Sequence, residues 1–100
     1  TLYIDTSEFG KVSFVLKNEE KSISKSYSIK PSETHKTLEL LDKFLRQLKI
    51  KKSKVTKLIV CNGPGSFTGI RVGVSLAQSL AFAWGIPLRI LPKTNFLKVL

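Results

Sequence analysis

The 100-residue sequence predicts an α/β domain with a five-stranded mixed sheet of order 3-2-1-4-5 and two long helices on one face of that sheet. Three observations lead to this fold class. Residues 2–30 contain three short β-favouring segments separated by turns, residues 34–48 carry leucines at helical spacing, and residues 57–91 follow the order strand, helix, strand. Since crossovers between parallel strands are right-handed, both long helices fall on the same face.

The first part of the chain is predicted to form a three-stranded meander. Its strands are Leu2–Ile4, Val12–Leu16 and Ser22–Lys30, with turns around Gly10 and over residues 18–21. The third strand alternates apolar and polar residues, which is typical of an edge strand with one face in water. Asp5 ends the first strand without a metal-ligating partner, so we expect it to act in a turn or as a cap.

The first long helix is expected to run from a cap at Ser32 or Thr34 to about Leu48. Leucines at positions 38, 41, 45 and 48 form a seam, and Leu40 and Phe44 add a second stripe beside it. A helix that only covers a sheet needs one apolar stripe. The wider face therefore predicts burial on two sides, against the sheet and against another helix.

The central stretch of the chain combines a buried strand, a tight turn and the second long helix. The strand covers Lys57–Cys61, and the turn Asn62–Gly65 contains residues that neither a strand nor a helix accommodates. Ser66 or Thr68 can cap the helix, and Gly85 supplies a left-handed stop. Pro87–Leu91 is then the fifth strand, before a last helix capped by residue 94 that begins at residue 95.

Small residues recur every four positions along the second helix, at Gly69, Gly73, Ala77 and Ala81. Such a stripe lets another backbone approach closely. It is explained either by packing on the chain's own sheet or by a second helix or an anion at the helix start. The spacing fits neither the Walker phosphate loop nor the dinucleotide fingerprint. The candidate anion-binding residues are Gly63, Gly65, Ser66, Thr68 and Gly69.

The run Gly63–Arg71, with the sequence GPGSFTGIR, resembles the signature of the TsaB (YeaZ) family, and Leu2–Ser7 is similar to that family's first strand. The resemblance implies an RNase-H-like fold of the actin-like ATPase superfamily. It also implies a non-catalytic subunit in the bacterial synthesis of threonylcarbamoyladenosine in tRNA. Members of the family resemble tandem pairs of such domains, so residues 1–100 are expected to be the N-terminal domain, with the second half absent.

The resemblance further implies a scaffold that binds a TsaD-like catalytic subunit as a heterodimer, with a homodimer through the two long helices as a second form. It implies no catalytic residue, no cofactor and no metal, and only an indirect relation to tRNA. The two helices would meet a neighbour through their apolar and small residues. The predicted interface residues are Leu38, Leu41, Leu45, Gly73, Ala77 and Ala81.

Two other classes of function remain open from the sequence. One is a transferase, ATPase or peptidase of the same superfamily. The other is a small phosphate- or RNA-binding module that uses the loop Gly63–Gly69 and surface lysines. The net charge is +10, with 17 Lys and Arg residues against 7 Asp and Glu residues. Five of the lysines fall within residues 49–57, where they form either a solvated loop or a patch that faces tRNA.

Composition also indicates the compartment. Cys61 is the single cysteine, so the chain has no disulfide framework and we expect a reducing compartment, the cytoplasm. No signal peptide is recognisable at the start. Residues 72–88 lack charge, but their glycine, glutamine and proline suit a buried helix better than a membrane span.

Overall fold

One five-stranded mixed sheet forms the centre of the molecule, seen in a computed structural model that describes residues 1–100 apart from the side chain of Pro31. Its order is β3-β2-β1-β4-β5, which confirms the predicted topology. The β1–β2 and β2–β3 pairs are antiparallel, and the β1–β4 and β4–β5 pairs are parallel. The strands are β1 (Leu2–Asp5), β2 (Lys11–Lys17), β3 (Ser22–Ser28), β4 (Leu58–Cys61) and β5 (Leu88–Leu91).

The helices are α1 (Thr37–Gln47), α2 (Phe67–Trp84) and α3 (Lys93–Val99), and short 3-10 helices cover Pro31–Lys36 and Lys52–Lys54. Both long helices lie on one face of the sheet, as predicted, since residues of α1 and α2 share one core with alternate strand residues. Phe14 is at its centre, with its ring centroid 5.7 Å from that of Phe44. The fully or nearly buried members of this core are Leu2, Ile4, Val12, Phe14, Leu41, Phe44, Leu45, Val55, Leu58, Val60 and Ala77.

The opposite face of the sheet carries a smaller core under α3. Tyr3, Ile59 and Cys61 point to this side because successive strand residues alternate between the two faces. Phe96 of α3 covers them, and its ring meets the Tyr3 ring edge-on at a centroid distance of 5.9 Å. The sheet is therefore covered on both faces along β1 and β4, which is why β4 is buried throughout.

Two helix starts differ from the sequence prediction. Neither Ser32 nor Thr34 caps α1, because a 3-10 helix precedes it and the Glu33 side chain accepts the Lys30 N–H at 3.2 Å instead. α3 begins at Lys93 after Pro92, two residues before the predicted start. A proline can stand there because the first amide of a helix needs no partner within the helix.

Candidate functional site

The loop Asn62–Ser66 joins β4 to α2 at the end of the sheet where the parallel strands terminate. Ser66 has an extended backbone, and its hydroxyl accepts the Gly69 N–H at 3.2 Å, so Ser66 is the helix cap. Thr68 lies inside the first turn. The helix ends at Gly85, whose φ of 64° is the predicted left-handed stop.

The glycines of this loop and helix pack against the connection that leaves β1. A Cβ atom at Gly65 would overlap the carbonyl oxygen of Ser7, and one at Gly69 would overlap the carbonyl oxygen of Thr6. At Gly73 it would overlap the Thr6 hydroxyl. The first of the two explanations of the small stripe, packing on the chain's own sheet, therefore accounts for these glycines.

Hydrogen bonds fix the loop from two directions. The Ser66 N–H donates to the Ser7 carbonyl at 2.7 Å, and the Thr6 hydroxyl donates to the Gly69 carbonyl at 2.6 Å. From the other side, the Lys93 N–H donates to the Gly63 carbonyl at 2.8 Å. The start of α2 is thus attached to both β1 and α3, so the shape of the loop is determined by the fold.

A polar cluster lies beside the loop, where β1 ends. Asp5 Oδ1 accepts the N–H of Ser7 at 2.9 Å and its hydroxyl at 2.5 Å, which is the turn role predicted for Asp5. Lys93 Nζ lies 3.3 Å from Ser7 Oγ and 3.5 Å from both Asp5 Oδ2 and Glu8 Oε1. The buried thiol of Cys61 donates to Ser7 Oγ at 3.8 Å.

The charges in this cluster determine whether Lys93 could act as a base for the Ser7 hydroxyl. Partial burial opposes the charge on Lys93, but the carboxylates of Asp5 and Glu8 outweigh it and hold the pKa of Lys93 above its ordinary value. Lys93 therefore stays protonated at neutral pH and cannot take a proton from the serine hydroxyl. Ser7 is also only 2% exposed. The cluster stabilises the loop, with the Ser7 hydroxyl engaged by Asp5 and closed off from solvent.

A cleft of about 220 Å³ opens between the β1–β2 connection, the 3-10 helix before α1 and the start of α2. Ser66, Thr68 and Gly69 lie on its wall, and Lys11 and Lys30 line it as well. Gly63 and Gly65 are not among its lining residues. In the part of the chain that the structure describes, no group of three or more His, Cys, Asp or Glu side chains could hold a metal ion.

Most of the predicted interface residues are covered by their own chain. Leu41, Leu45 and Ala77 are at most 2% exposed and belong to the core, and Gly73 is buried under Thr6. The small-residue stripe at Gly73 and Ala77 is therefore covered by Thr6 and the main core of the same chain. Leu38 differs, since half of its surface is exposed, and Ala81 is half-buried.

The exposed apolar groups of the helix layer lie instead on the outer face of α2. Phe67 is 73% exposed and Phe82 is 92% exposed. Arg71 lies over the Phe67 ring at 5.4 Å from its centroid. Ser75 and Gln78 are exposed between them, and the spacing of all five residues puts them on one side of the helix. This face is visible in a helical projection of the sequence. The interface predicted from the sequence lay on the opposite side of α2, along the small-residue stripe.

Sequence comparison relates this domain to proteins of known name. The tRNA threonylcarbamoyladenosine biosynthesis protein TsaB of Bacillus subtilis is 31% identical over 88 residues, which are 87% of this chain and 38% of that protein. The protein of the same name from Haemophilus influenzae is 35% identical over 95 residues, 94% of this chain and 39% of that protein. The solved structure of YeaZ from Pseudomonas aeruginosa matches with a TM-score of 0.80 at 28% identity, over 91% of this chain and 42% of that one. The chain belongs to the TsaB (YeaZ) family.

The chain also matches the family model described as TsaD, tRNA N6-adenosine threonylcarbamoyltransferase, over residues 15–95. RuvC of Thermus thermophilus has a similar structure, with a TM-score of 0.56 at 11% identity over 92% of this chain and 64% of that one. At that identity the likeness concerns the fold alone, which is RNase-H-like as the loop sequence implied.

The TsaB chain spans about two fifths of the length of the curated relatives that it matches. Of the helices that the structure describes, none combines the length and hydropathy that crossing a lipid bilayer requires. The TsaB signature Gly63–Arg71 has a physical explanation in this chain, because its glycines allow α2 to start directly against Thr6 and Ser7.

Proposed function

We propose that this domain belongs to a non-catalytic subunit. It pairs with a TsaD-like threonylcarbamoyltransferase and so supports threonylcarbamoyladenosine modification of tRNA. The relatives carry the name of that pathway. In the polar cluster, Lys93 is protonated and Ser7 is buried away from any substrate, which supports a role other than catalysis. Cys61 is buried and free, which suits the reducing cytoplasm where we place the protein.

The observation that carries this proposal is the outer face of α2. Phe82 is 92% exposed, and Phe67 lies fifteen residues earlier on the same face, about 22 Å away along the helix axis. Arg71 is the only charged residue of α2, whereas exposed residues of α1 include Glu39, Lys43 and Arg46. Exposed aromatic residues on a face with little charge are typical of the centre of a protein–protein interface.

The match to the TsaD model supports a TsaD-like partner. The TsaD model matches residues 15–95, a range that contains both α1 and α2, so a TsaD-like subunit has a related segment to present. Two related helix pairs can meet about a near two-fold axis, each covering the apolar face of the other. By the same reasoning, the domain forms a homodimer through α2 when the partner is missing. Leu38 of α1, which is half exposed, extends the proposed interface beyond α2.

Substitution of one exposed aromatic residue tests this proposal. Phe82→Glu puts a carboxylate at the proposed interface, and Leu97→Glu is the matched control, since Leu97 is 57% exposed on α3 at the opposite face of the sheet. We expect Phe82→Glu to weaken binding to the cognate TsaD-like subunit by at least about 30-fold in calorimetry, the loss typical of a central interface residue. Leu97→Glu should bind like the wild type.

Sedimentation of the domain alone gives the second measurement. The wild type should dimerise at high concentration, and Phe82→Glu should sediment as a monomer. A wild-type domain that neither dimerises nor binds the TsaD-like subunit would overturn the proposal. A Phe82→Glu variant that binds the TsaD-like subunit like the wild type would show that the partner uses another surface.

A further inference from the structure

The lysines of this chain are divided between two ends of the sheet. At the end that carries the glycine-rich loop, three lysines pair with carboxylates: Lys11 with Glu8, Lys36 with Glu33, and Lys93 with both Asp5 and Glu8. The opposite end holds six lysines, which we call the lysine pole. They are Lys17, Lys49, Lys51, Lys52, Lys54 and Lys57.

The fold brings these lysines together around the amino ends of the parallel strands. The Lys17 N–H donates to the Thr1 carbonyl at 2.9 Å, and the Leu2 N–H donates to the Lys57 carbonyl at 2.9 Å, so the end of β2 and the start of β4 flank the start of β1. A 3-10 turn over Lys52–Lys54 follows the end of α1 and comes just before Lys57 in the sequence. Lysines that are separate in sequence thus share one end of the domain.

The backbone of the lysine pole is well fixed. The Lys54 N–H donates to the Lys51 carbonyl at 2.9 Å, and Val55, which is 2% exposed, anchors the turn in the main core. Lys49 occupies a left-handed conformation with φ of 57°, at the end of α1, where glycine is the usual residue. The backbone positions of these lysines are therefore set by the fold.

Little negative charge opposes the lysine pole. Asp42 lies 3.0 Å from Arg46 and 3.7 Å from Lys52, so one carboxylate is shared by two cations. Within the described part of the chain, the lysines at positions 49, 51, 54 and 57 form no ion pair with a carboxylate. Glu19 lines one cleft with Lys17 and Lys54, and the Lys17 ammonium donates to the Leu100 carbonyl at 2.6 Å. With six lysines against the two carboxylates of Asp42 and Glu19, the lysine pole still carries more positive than negative charge.

Two clefts flank the turn and share Thr56. One, of about 490 Å³, lies between Lys17 and Lys54. The other, of about 510 Å³, lies between Lys52 and the half-buried ring of Trp84. Lysines beside a groove suit phosphate groups, and an aromatic ring beside them suits stacking of a base. Lysine ammonium groups suit contacts to the phosphate backbone better than bidentate reading of bases.

We propose that the lysine pole binds the phosphodiester backbone of tRNA directly. The choice of tRNA among RNAs rests on the proposed function. Binding to a phosphodiester backbone is inferred from the charge distribution. The lysine pole is at the end of the sheet opposite the glycine-rich loop and does not include the outer face of α2. The domain can therefore hold tRNA while α2 is covered by the TsaD-like subunit.

Two triple variants that remove the same three charges test this inference. The pole variant is Lys51→Gln, Lys52→Gln and Lys54→Gln, and the control variant is Lys11→Gln, Lys30→Gln and Lys36→Gln, at the end that carries the loop. Binding of fluorescently labelled tRNA is measured by anisotropy over a range of KCl concentrations. We expect the pole variant to lose at least about tenfold in affinity and its salt slope to fall by about 3, as for three lost phosphate contacts. The control variant should lose less than about threefold.

Trp84 gives an independent measurement, because it is the single tryptophan of the chain. Its fluorescence should change as tRNA binds, with the same midpoint as the anisotropy. Equal loss of affinity in both triple variants would show attraction by net charge alone and overturn the inference, as would a wild type that does not bind tRNA at low salt. Tighter binding to vesicles of phosphatidylglycerol than to tRNA would also overturn it, in favour of a membrane surface.

Measuring the TsaD-like subunit with the same variants separates the two proposals. The pole variant should bind that subunit like the wild type. If the subunit binds and tRNA does not, only the direct contact with tRNA is wrong. If tRNA binds at the lysine pole and the subunit does not, the proposed pairing through α2 is wrong.

Discussion

Thr6 lies directly against Gly73, and its side chain fills the space that a Cβ atom at position 73 would need. Thr6 is 2% exposed, and its hydroxyl also donates to the Gly69 carbonyl at 2.6 Å. One threonine after β1 therefore contacts two successive turns of α2. The glycines at positions 69 and 73 are explained by this contact, since any larger residue would push the helix away from the sheet.

Gly73→Ala should lower the free energy of unfolding by about 1–3 kcal/mol, the range for overpacking a tight contact. The sign is informative, because alanine in a helix is normally favoured over glycine by about 1 kcal/mol. Urea unfolding gives the value. Ser75→Ala, on the exposed face of the same helix, is the control and should be neutral or slightly stabilising. The double variant Thr6→Ala, Gly73→Ala should lose less stability than the sum of the losses of the two single variants. A stabilised Gly73→Ala would contradict the contact.

Ala77→Glu should destabilise the fold itself. Ala77 is 0% exposed in the main core, so a carboxylate there would lose its hydration without gaining a partner, at a cost of at least about 3 kcal/mol. The exposed neighbour Gln78→Glu should change the free energy of unfolding by less than about 0.5 kcal/mol. Circular dichroism during urea unfolding distinguishes the two. An Ala77→Glu domain that is as stable as the wild type would mean that α2 can turn this side towards a partner.

The glycine-rich loop should bind nucleotides weakly. Ser66 already caps α2, and the glycines contact Thr6 and Ser7, so few groups of the loop are free for a ligand. We expect ATP or inorganic phosphate to bind no more tightly than the millimolar range, about −4 kcal/mol. Calorimetry on the isolated domain measures this. Micromolar affinity that is lost in a variant of Thr68, such as Thr68→Val, would restore the loop as a binding site.

Lys93→Gln should cost about 1 kcal/mol at neutral pH, as expected for a partly exposed cation between two carboxylates. Burial lowers the pKa of Lys93, but Asp5 and Glu8 raise it more, so the pKa is higher in the folded chain. Its contribution is then fully present below the pKa of the unfolded chain and is lost as pH rises through that of the folded chain. The difference from the wild type should stay constant from about pH 6 to about pH 9 and shrink only at higher pH.

The control for this titration is Lys98→Gln, on the exposed side of the same helix. It should show no such difference at any pH. If the effect of Lys93→Gln disappeared between pH 6 and pH 8, Lys93 would be neutral in that range. Ser7 would then have a base beside it, and a catalytic role for the cluster would have to be tested.

The strand order could be predicted from sequence because each of its determinants is local. Four consecutive apolar residues mark β4 as buried on both faces, turn residues separate β1, β2 and β3, and handedness places the helices. The occupant of an apolar stripe is not a local property. Leu41 and Leu45 have the same pattern whether they meet a partner or Phe14 of their own sheet, and only the packed structure assigns them to the core.

The glycine spacing was similarly ambiguous. A glycine that makes room for an anion and one that makes room for Thr6 look alike in the sequence, because both are defined by what they lack. Phe67 and Phe82 could have been found from their spacing on the side of α2 opposite the glycines. The start of α1 could not, because the 3-10 helix that begins at Pro31, where the Glu33 side chain accepts the Lys30 N–H, continues into α1 without a side-chain cap at Lys36.

β4 connects the lysine-rich turn to the glycine-rich loop through only four residues, about 13 Å of extended chain. All four are buried, Leu58 and Val60 in the main core and Ile59 and Cys61 in the smaller core under α3. Because this strand is a rigid segment that tolerates few changes, a substitution at one of its ends leaves the structure at the other end unchanged. Natural selection can vary the lysines and so adjust the affinity for a polyanion, while the contacts that start α2 keep their geometry and with them the face that α2 presents.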